Sequence, residues 1–293
     1  MIKDGILLVD KPKNITSNNV LQIIKKKLAF KKAGLVGVLD PLASGMLPIV
    51  FGEATKFSKF LDEARKQYIV NIRIGVKSNT GDNEGIIQSD KRKVPHLSKD
   101  KIIKILDSFL GEYFHKPPMH SSIKIKGRRL YELARKGIEV DRPTKKVKIH
   151  KLDLINFVDK SMNVRVVCSK GTYIRTLVED IGEKLGIYTL TNELRRELVG
   201  NYSEKDMIPL DKVTSMQASL KSCFSIDSLV SHIPSISISR DEENLIKNGS
   251  KINCSGKVDN MEIIIKNDLN EIVGIGLVVN GILSPKRLLR NDQ

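Results

Sequence analysis

A single carboxylate, Asp40, stands in the segment Gly34-Leu35-Val36-Gly37-Val38-Leu39-Asp40-Pro41-Leu42-Ala43-Ser44-Gly45, among apolar and small side chains. An ionised oxygen in such surroundings is costly unless a cation pairs with it. Held beside a reacting carbon, it is a nucleophile or a base. Pro41 pushes Asp40 toward extended backbone. Gly34, Gly37 and Gly45 are expected to allow unusual dihedrals and close approach of a ligand. A lone Asp-Pro is more often a turn whose carboxylate bonds its own backbone, so Asp40 alone names no reaction. The second segment is Cys168-Ser169-Lys170-Gly171-Thr172-Tyr173-Ile174-Arg175-Thr176. It places Tyr173 and Arg175 at the start of a helix whose Ile174 faces inward. The helix dipole disfavours a cation there. Such an arginine gains by meeting a carboxylate or a phosphate, although a surface arginine is the commoner case.

Several elements must position these residues. Gly5–Val9 reads as a short strand, and Thr16 or Ser17 caps a helix with Val20, Ile23, Ile24, Lys27 and Leu28 on one face. Residues 34–48 are punctuated by glycine and proline and read as a loop. Tyr68 to Gly75 alternates as a strand, with Tyr68, Val70, Ile72 and Ile74 sharing a face. Ser98 to Leu110 reads as a helix with Ile102, Ile103, Leu106, Phe109 and Leu110 inward. Asn163–Cys168 is another strand. Thr172 to Leu185 is a helix, and Gly186 is its C-terminal cap. Strands alternate with isolated helices without regular βαβ units, so an α+β core on a mixed, largely antiparallel sheet is expected. Near Ser235 the pattern changes to strands at Ile236–Ile238, Met261–Ile265 and Ile272–Val279, with turns at Asn267-Asp268 and Asn280-Gly281. The expected division is a catalytic domain over 1–234, carrying a basic insertion at about 90–150, and a small β module over 235–293.

The chain has 293 residues, 40% hydrophobic, enough for a packed core. Its net charge is +16. From Arg240 onward eight basic residues balance eight acidic ones, so residues 1–239 carry the whole excess. The densest stretch, Lys124 to Lys148, holds ten basic and three acidic residues. Such blocks attract polyanions, of which nucleic acid is the commonest, although a solvated lysine-rich surface would look the same. No apolar run is long enough to span a membrane, and Ile6–Val9 is too short for a leader's apolar region. Cys168, Cys223 and Cys254 are odd in number and far apart, with neither zinc spacing nor a disulfide framework. A reduced, cytoplasmic setting and no metal site are expected.

Taken together, these segments resemble the TruB-type tRNA pseudouridine synthases. The resemblance runs in order through residues 5–200. It begins with Gly5-Ile6-Leu7-Leu8-Val9-Asp10-Lys11-Pro12 and Thr16-Ser17, followed by the loop around Asp40. Gly52-Glu53-Ala54-Thr55-Lys56 and Lys66-Gln67-Tyr68 come next, then Pro117-Pro118 with Ser121 to Arg128. CSKGTYIRT and Leu194-Arg195-Arg196 complete it. Each motif is modest alone, and the joint order is specific. The C-terminal tract is similar to a PUA-like RNA-binding module, through Gly281 and Ser284-Pro285-Lys286-Arg287.

The resemblance implies isomerisation of uridine 55 in the tRNA T-loop to pseudouridine. No redox change or net atom transfer occurs, so no cofactor is implied, in keeping with the lack of a Walker loop or dinucleotide fingerprint. It makes Asp40 the nucleophile and Arg175 its partner. The target base must be flipped out. Tyr68 would stack on it, Tyr173 would contact it, and Leu194 would line its pocket. On local pattern alone Tyr68 reads as core. Lys11 and Pro12 would support the catalytic loop. The partner is the T-arm of tRNA, with no guide RNA, no obligatory protein partner and a monomeric chain expected; the compact chain ending at Gln293 favours the stand-alone type.

Three departures stand out. Leu35 occupies the place of a family histidine that contacts RNA, so it would offer only apolar bulk. Leu190 replaces a second histidine. Ser78-Asn79-Thr80-Gly81-Asp82 replaces an acidic pattern. Two other readings compete. An RNA-binding protein without activity would not need Asp40, Tyr68, Tyr173 and Arg175 together. An aspartate-dependent N-glycosidase would release free uracil.

Overall fold

The computed structural model describes residues 3–91, 97–254 and 259–290. In chain order the elements used below begin with β1 (Gly5–Lys11), α1 (Ser17–Leu28), β2 (Ala33–Leu35), β3 (Ser44–Phe51) and β4 (Lys66–Ile74). Next come α2 (Lys99–Asp107), β5 (Gly111–His115), β6 (Lys124–Ile125), β7 (Arg128–Arg129) and α3 (Leu130–Ala134). Then follow β8 (Lys145–Val158), β9 (Ser161–Cys168), α4 (Ile174–Leu185), β10 (Thr189–Val199), β11 (Ile208–Pro209) and β12 (Cys223–Phe224). The last group is β13 (Ser235–Ser237), α5 (Arg240–Lys247), β14 (Ile252–Asn253), β15 (Met261–Lys266), β16 (Ile272–Val279) and β17 (Ile282–Leu288).

The main sheet has ten strands, ordered β11-β1-β3-β10-β4-β9-β8-β5, with β12 on β1 and β2 on β3. Pairing is antiparallel except for β1 with β11 and β10 with β3. This is the mixed, largely antiparallel α+β core expected from the sequence. The period-two pattern of β4 sends Tyr68, Val70, Ile72 and Ile74 to one buried face. There they meet Ile102 and Leu106 of α2 and Ile174, Leu177, Val178 and Ile181 of α4. Each such side chain withdrawn from water contributes about 1.5–3 kcal/mol. On the edge side, Leu7 and Val9 pack with Val20, Leu21 and Ile24 of α1. The second sheet is ordered β13-β15-β16-β17-β14. Its Ile264 and Ile275 join Ile6, Leu8, Phe57 and Phe60 in one cluster, so the C-terminal sheet packs on the first.

Cap chemistry sets the helix ends. The Thr16 hydroxyl accepts from the Asn19 N–H and starts α1, and Gly186 closes α4 in the left-handed region at φ 75°. Several sequence expectations need correction. The segment 34–48 is only partly loop: its ends are drawn into β2 and β3 by pairing with each other and with β1. Gly34 therefore lies in a strand, and of the segment's three glycines Gly37 and Gly45 have positive φ. On α1, Leu21 is buried while Lys27 is exposed: the inward face runs through Val20, Leu21, Ile24 and Leu28, and Lys27 lies off it. The helix α2 is shorter than expected, and Ile103 and Leu110 are each 45% exposed; only Ile102, Leu106 and Phe109 reach the core. In the C-terminal sheet, α5 and β17 were not anticipated. The helix has few apolar residues, but its capping box, Ser239 with Glu242, is written in the sequence.

Candidate active site

Arg175 sits in the first turn of α4 and is 4% exposed. Burial of Ile174 and Leu177 fixes the helix and turns the guanidinium toward the loop between β2 and β3. Its Nε lies 2.9 Å from Asp40 Oδ2 and 3.7 Å from Asp82 Oδ2. Nη1 donates to the Thr80 carbonyl and Nη2 to the His120 carbonyl, both at 2.9 Å. One planar fork thus ties together three segments distant in sequence. The Asp40 side chain is 37% exposed, so it is open to a ligand on one side while paired on the other. Asp82 is buried; it accepts from the Thr80 hydroxyl at 2.6 Å and from the Glu84 N–H at 3.1 Å.

The residues flanking Asp40 are clamped individually. The Ser17 hydroxyl donates to the Leu39 carbonyl at 2.8 Å and accepts from the Leu39 N–H at 2.9 Å. The Pro41 carbonyl accepts from Lys11 Nζ at 3.2 Å and from the Asn14 N–H at 2.8 Å. Lys11 Nζ also donates to the carbonyls of Pro12 and Ile15, at 2.9 and 2.8 Å. Leu39, Leu42 and Ala43 drop into the cluster that holds Tyr68, Ile174 and Leu194. Tyr68 and Tyr173 both lie within electrostatic reach of Asp40, and burial raises both phenols above their ordinary range. Asp40, Arg175, Tyr68, Tyr173, Leu194 and Lys11 are thus gathered at one place, with the Pro12 carbonyl among the acceptors of the lysine. Leu35 is set apart: it packs half-buried against the cluster of α1 and β3.

A fixed carboxylate, paired with a buried guanidinium and bordered by two tyrosines and apolar side chains, suits attack on a planar, uncharged ring system or its sugar. The family model for the N-terminal domain of TruB family pseudouridylate synthases matches residues 25–174, and that for the tRNA pseudouridylate synthase B C-terminal domain matches 175–235. The chain belongs to the TruB family of pseudouridylate synthases. It is 40% identical to a tRNA pseudouridine synthase B of Coxiella burnetii, over 98% of this chain and 95% of that protein. It is 42% identical to the one from Wigglesworthia glossinidia brevipalpis, over 93% and 85%. Its fold is similar to that in a crystal structure of a Cbf5-Nop10-Gar1 complex, with a TM-score of 0.76 and 22% identity over 98% of this chain and 85% of that one.

In this TruB family chain, sequence reasoning overlooked Ser17 as a clamp, Glu84 and His120 at the mouth of the site, and Arg196 beneath it. Arg196 is fully buried; its Nε donates to the Met46 carbonyl and Nη2 to the Gly37 carbonyl, each at 2.7 Å. The sequence signal for Arg196 is the second arginine of the Leu194-Arg195-Arg196 motif. Arg195 instead forms a bidentate pair with Asp10 at 3.0 and 2.9 Å. Burial, then Asp82 and Asp40, raises the Glu84 carboxyl above its usual range. Among the described residues no group of three or more His, Cys, Asp or Glu could hold a metal, and no helix is long and apolar enough to cross a membrane.

Two outcomes are expected here. Gly45 has φ +97°, and a Cβ on it would meet the Arg196 carbonyl oxygen at 2.2 Å and its nitrogen at 2.8 Å. Gly45→Ala should therefore cost about 3 kcal/mol or more, from overlap and backbone strain together. Urea unfolding reads this directly, and a loss within error of zero would contradict the packing. Burial is the main cause that lowers Lys11 to about 8. Its ammonium has three donors for three carbonyls; the neutral amine has two. As pH rises through about 8, the hold on Pro41 should weaken and single-turnover rate should fall. A pH–rate profile that stays flat through that range would remove Lys11 from the support of the loop.

Proposed function

We propose that this pseudouridine synthase acts on tRNA at uridine 55 of the T-loop, with Asp40 as the nucleophile. The observation that carries this reading is the half-exposed Asp40 carboxylate, 2.9 Å from the buried Arg175 Nε. The N1–C1′ bond breaks, the uracil turns, and C5 bonds to C1′; the C5 proton is lost and N1 takes up a proton in exchange, so the product is an isomer of the substrate. Nothing is added or oxidised. Asp40 supplies the oxygen, and Arg175 holds it in one orientation without removing it from the ligand's side. The uridine is flipped from its loop. Tyr68 offers a stacking face, worth about 1–3 kcal/mol for a base. Tyr173 contacts the base, and Leu194 supplies apolar lining.

The basic tract supports tRNA as the ligand. The strands β6 and β7 form a hairpin on which Lys124, Lys126 and Arg128 are exposed. Backbone bonds from Leu130 to Ile123 and from Tyr131 to Ser121 anchor it beside the Arg175-bound carbonyl of His120. We assign residues about 90–150 to phosphate contacts along the T-arm, with 92–96 outside the described residues. Residues 1–234 form the catalytic domain in this reading. Residues 235–293, with balanced charge, form a PUA-like module that adds shape-based contacts. We further assign the enzyme to the cytoplasm, as a monomer that reads its own substrate without guide RNA or an obligatory protein partner.

Transcribed tRNA tritiated at uridine C5 tests the reaction. Tritium release with pseudouridine mapped to position 55 is expected. Free uracil as the product, or no release, would overturn it. Leu35 packs against α1 and β3, apart from Asp40, so any contact it makes is with RNA outside the uridine pocket, through its half-exposed side. Leu35→His is expected to raise RNA affinity and rate, and unchanged values would take Leu35 out of the contact set.

A further inference from the structure

The chain before the basic hairpin carries a side chain that the reaction above leaves unused. His120 is half-exposed, and its backbone is fixed by the 2.9 Å bond from Arg175 Nη2 to its carbonyl. The same guanidinium holds Asp40 at 2.9 Å through Nε. His120 and Asp40 are therefore fastened to two sides of one planar group. The imidazole lies within electrostatic reach of Arg175, Asp82, Arg135 and Asp40, the charged groups that face it. No hydrogen bond involves its ring nitrogens among the described residues. A half-buried imidazole with free nitrogens, its backbone fixed by the same guanidinium that holds the 37%-exposed Asp40 carboxylate, is preorganised to meet a ligand that reaches Asp40.

We propose that His120 is a substrate-contacting residue whose imidazole hydrogen-bonds the extruded uridine in the cleft of Asp40 and Arg175. This rests on the reading of the site as a uridine isomerase. The surroundings decide the ligand chemistry. Of the four charged groups that face the imidazole, Asp40 and Asp82 would repel a phosphate, and the Arg175 guanidinium is already engaged by Asp40 and two carbonyls, which leaves Arg135 alone to attract one. A neutral ring edge or a sugar hydroxyl meets no such penalty. Burial and Arg175 both lower the pKa of His120, so it is neutral at pH 7 and above. It then presents one donor and one acceptor, which suits the alternating polar groups of a uracil edge or a ribose hydroxyl.

The test compares His120→Ala and His120→Gln with the parent enzyme on the same tRNA, by single-turnover kinetics and equilibrium tRNA binding. His120→Ala should lower kcat/KM about tenfold, the equivalent of one lost hydrogen bond in the site. Binding should change much less, because the hairpin and its phosphate contacts remain. Gln keeps a neutral donor and acceptor, so His120→Gln should recover most of the rate. The inference is overturned if the Ala variant matches the parent, if Gln loses as much as Ala, or if the loss lies wholly in tRNA binding. Both substitutions leave the backbone carbonyl that Arg175 uses, and unchanged melting temperatures verify that the fold is retained. An Asp40→Asn control keeps the two readings apart. If that variant stays active, the assignment of the nucleophile fails; if it is dead while His120→Ala is unimpaired, only the role of His120 fails.

Discussion

Asp40→Asn is expected to reduce pseudouridine formation roughly 10^4-fold or more, the scale seen when a group central to bond making is removed. The side chain keeps its size, and its amide oxygen can still accept from the Arg175 guanidinium. What is lost is an oxygen able to attack or to take up the developing charge. Binding of tRNA should change little, because the exposed basic residues that meet phosphates are untouched. Stability should also hold. The Asp40 side chain is 37% exposed, so a neutral amide there is readily solvated. Arg175 still faces Asp82 and the carbonyls of Thr80 and His120. The expected pattern is a near-total loss of rate with binding and melting temperature retained. Near-normal turnover in this variant would sink the nucleophile assignment, and a large loss of tRNA affinity would show that Asp40 contributes mainly to binding.

The site was legible where chemistry forces a residue type. A carboxylate in an apolar loop and an arginine in a helix's first turn are both uncomfortable alone, and the structure joins them at 2.9 Å. The tyrosine of β4 was ambiguous. Its alternation with Val70 and Ile72 marked it as core, and it is core, 9% exposed; yet that same cluster contains Leu39, Leu42 and Leu194 beside Asp40. Packing residue and pocket residue are one role here, since the pocket is an edge of the core. Backbone-directed contacts were illegible. Ser17 clamps Leu39 and Arg196 clamps Gly37 and Met46 through carbonyl or amide groups, which leave no mark on the partner's identity. His120 escaped for the same reason, as Arg175 grips its carbonyl.

Fold class was readable from alternation and from the isolated helical stretches, because both periods are sharp in β4 and α4. Boundaries failed where pairing overrode local signals. Gly34 and Leu35 look like loop, but β3 offers an edge, and the pair Leu35 with Ile49 extends the sheet. Exposure on α2 failed for a different reason. Six apolar residues over thirteen positions can fill a wide stripe, but only the narrower arc of Ile102, Leu106 and Phe109, with Ile105 partly buried at its border, meets the core of β4 and α4.

Arg175→Ala should be the most damaging change in the molecule, because it acts on stability and chemistry together. Both Arg175 and Asp82 are almost wholly buried. Removing the guanidinium strands the Asp82 charge and leaves the carbonyls of Thr80 and His120 without their donor. Loss of one partner of a buried pair costs about 3–5 kcal/mol. Arg175→Lys separates charge from geometry. The ammonium is a point charge and cannot meet Asp40, Thr80 and His120 at once, as the fork does. It should fold better than the alanine variant yet lose about 10^2-fold or more in single-turnover rate, because an ångström of misplacement at a reacting centre is that costly. The double variant Arg175→Ala with Asp82→Asn gives a sharper test. If the stranded carboxylate is what destabilises the alanine variant, neutralising it should restore part of the lost stability, and the two substitutions will be far from additive. Additive losses, or a lysine variant at near-parental rate, would mean that Asp40, Asp82 and the loop carbonyls are held in place without the guanidinium.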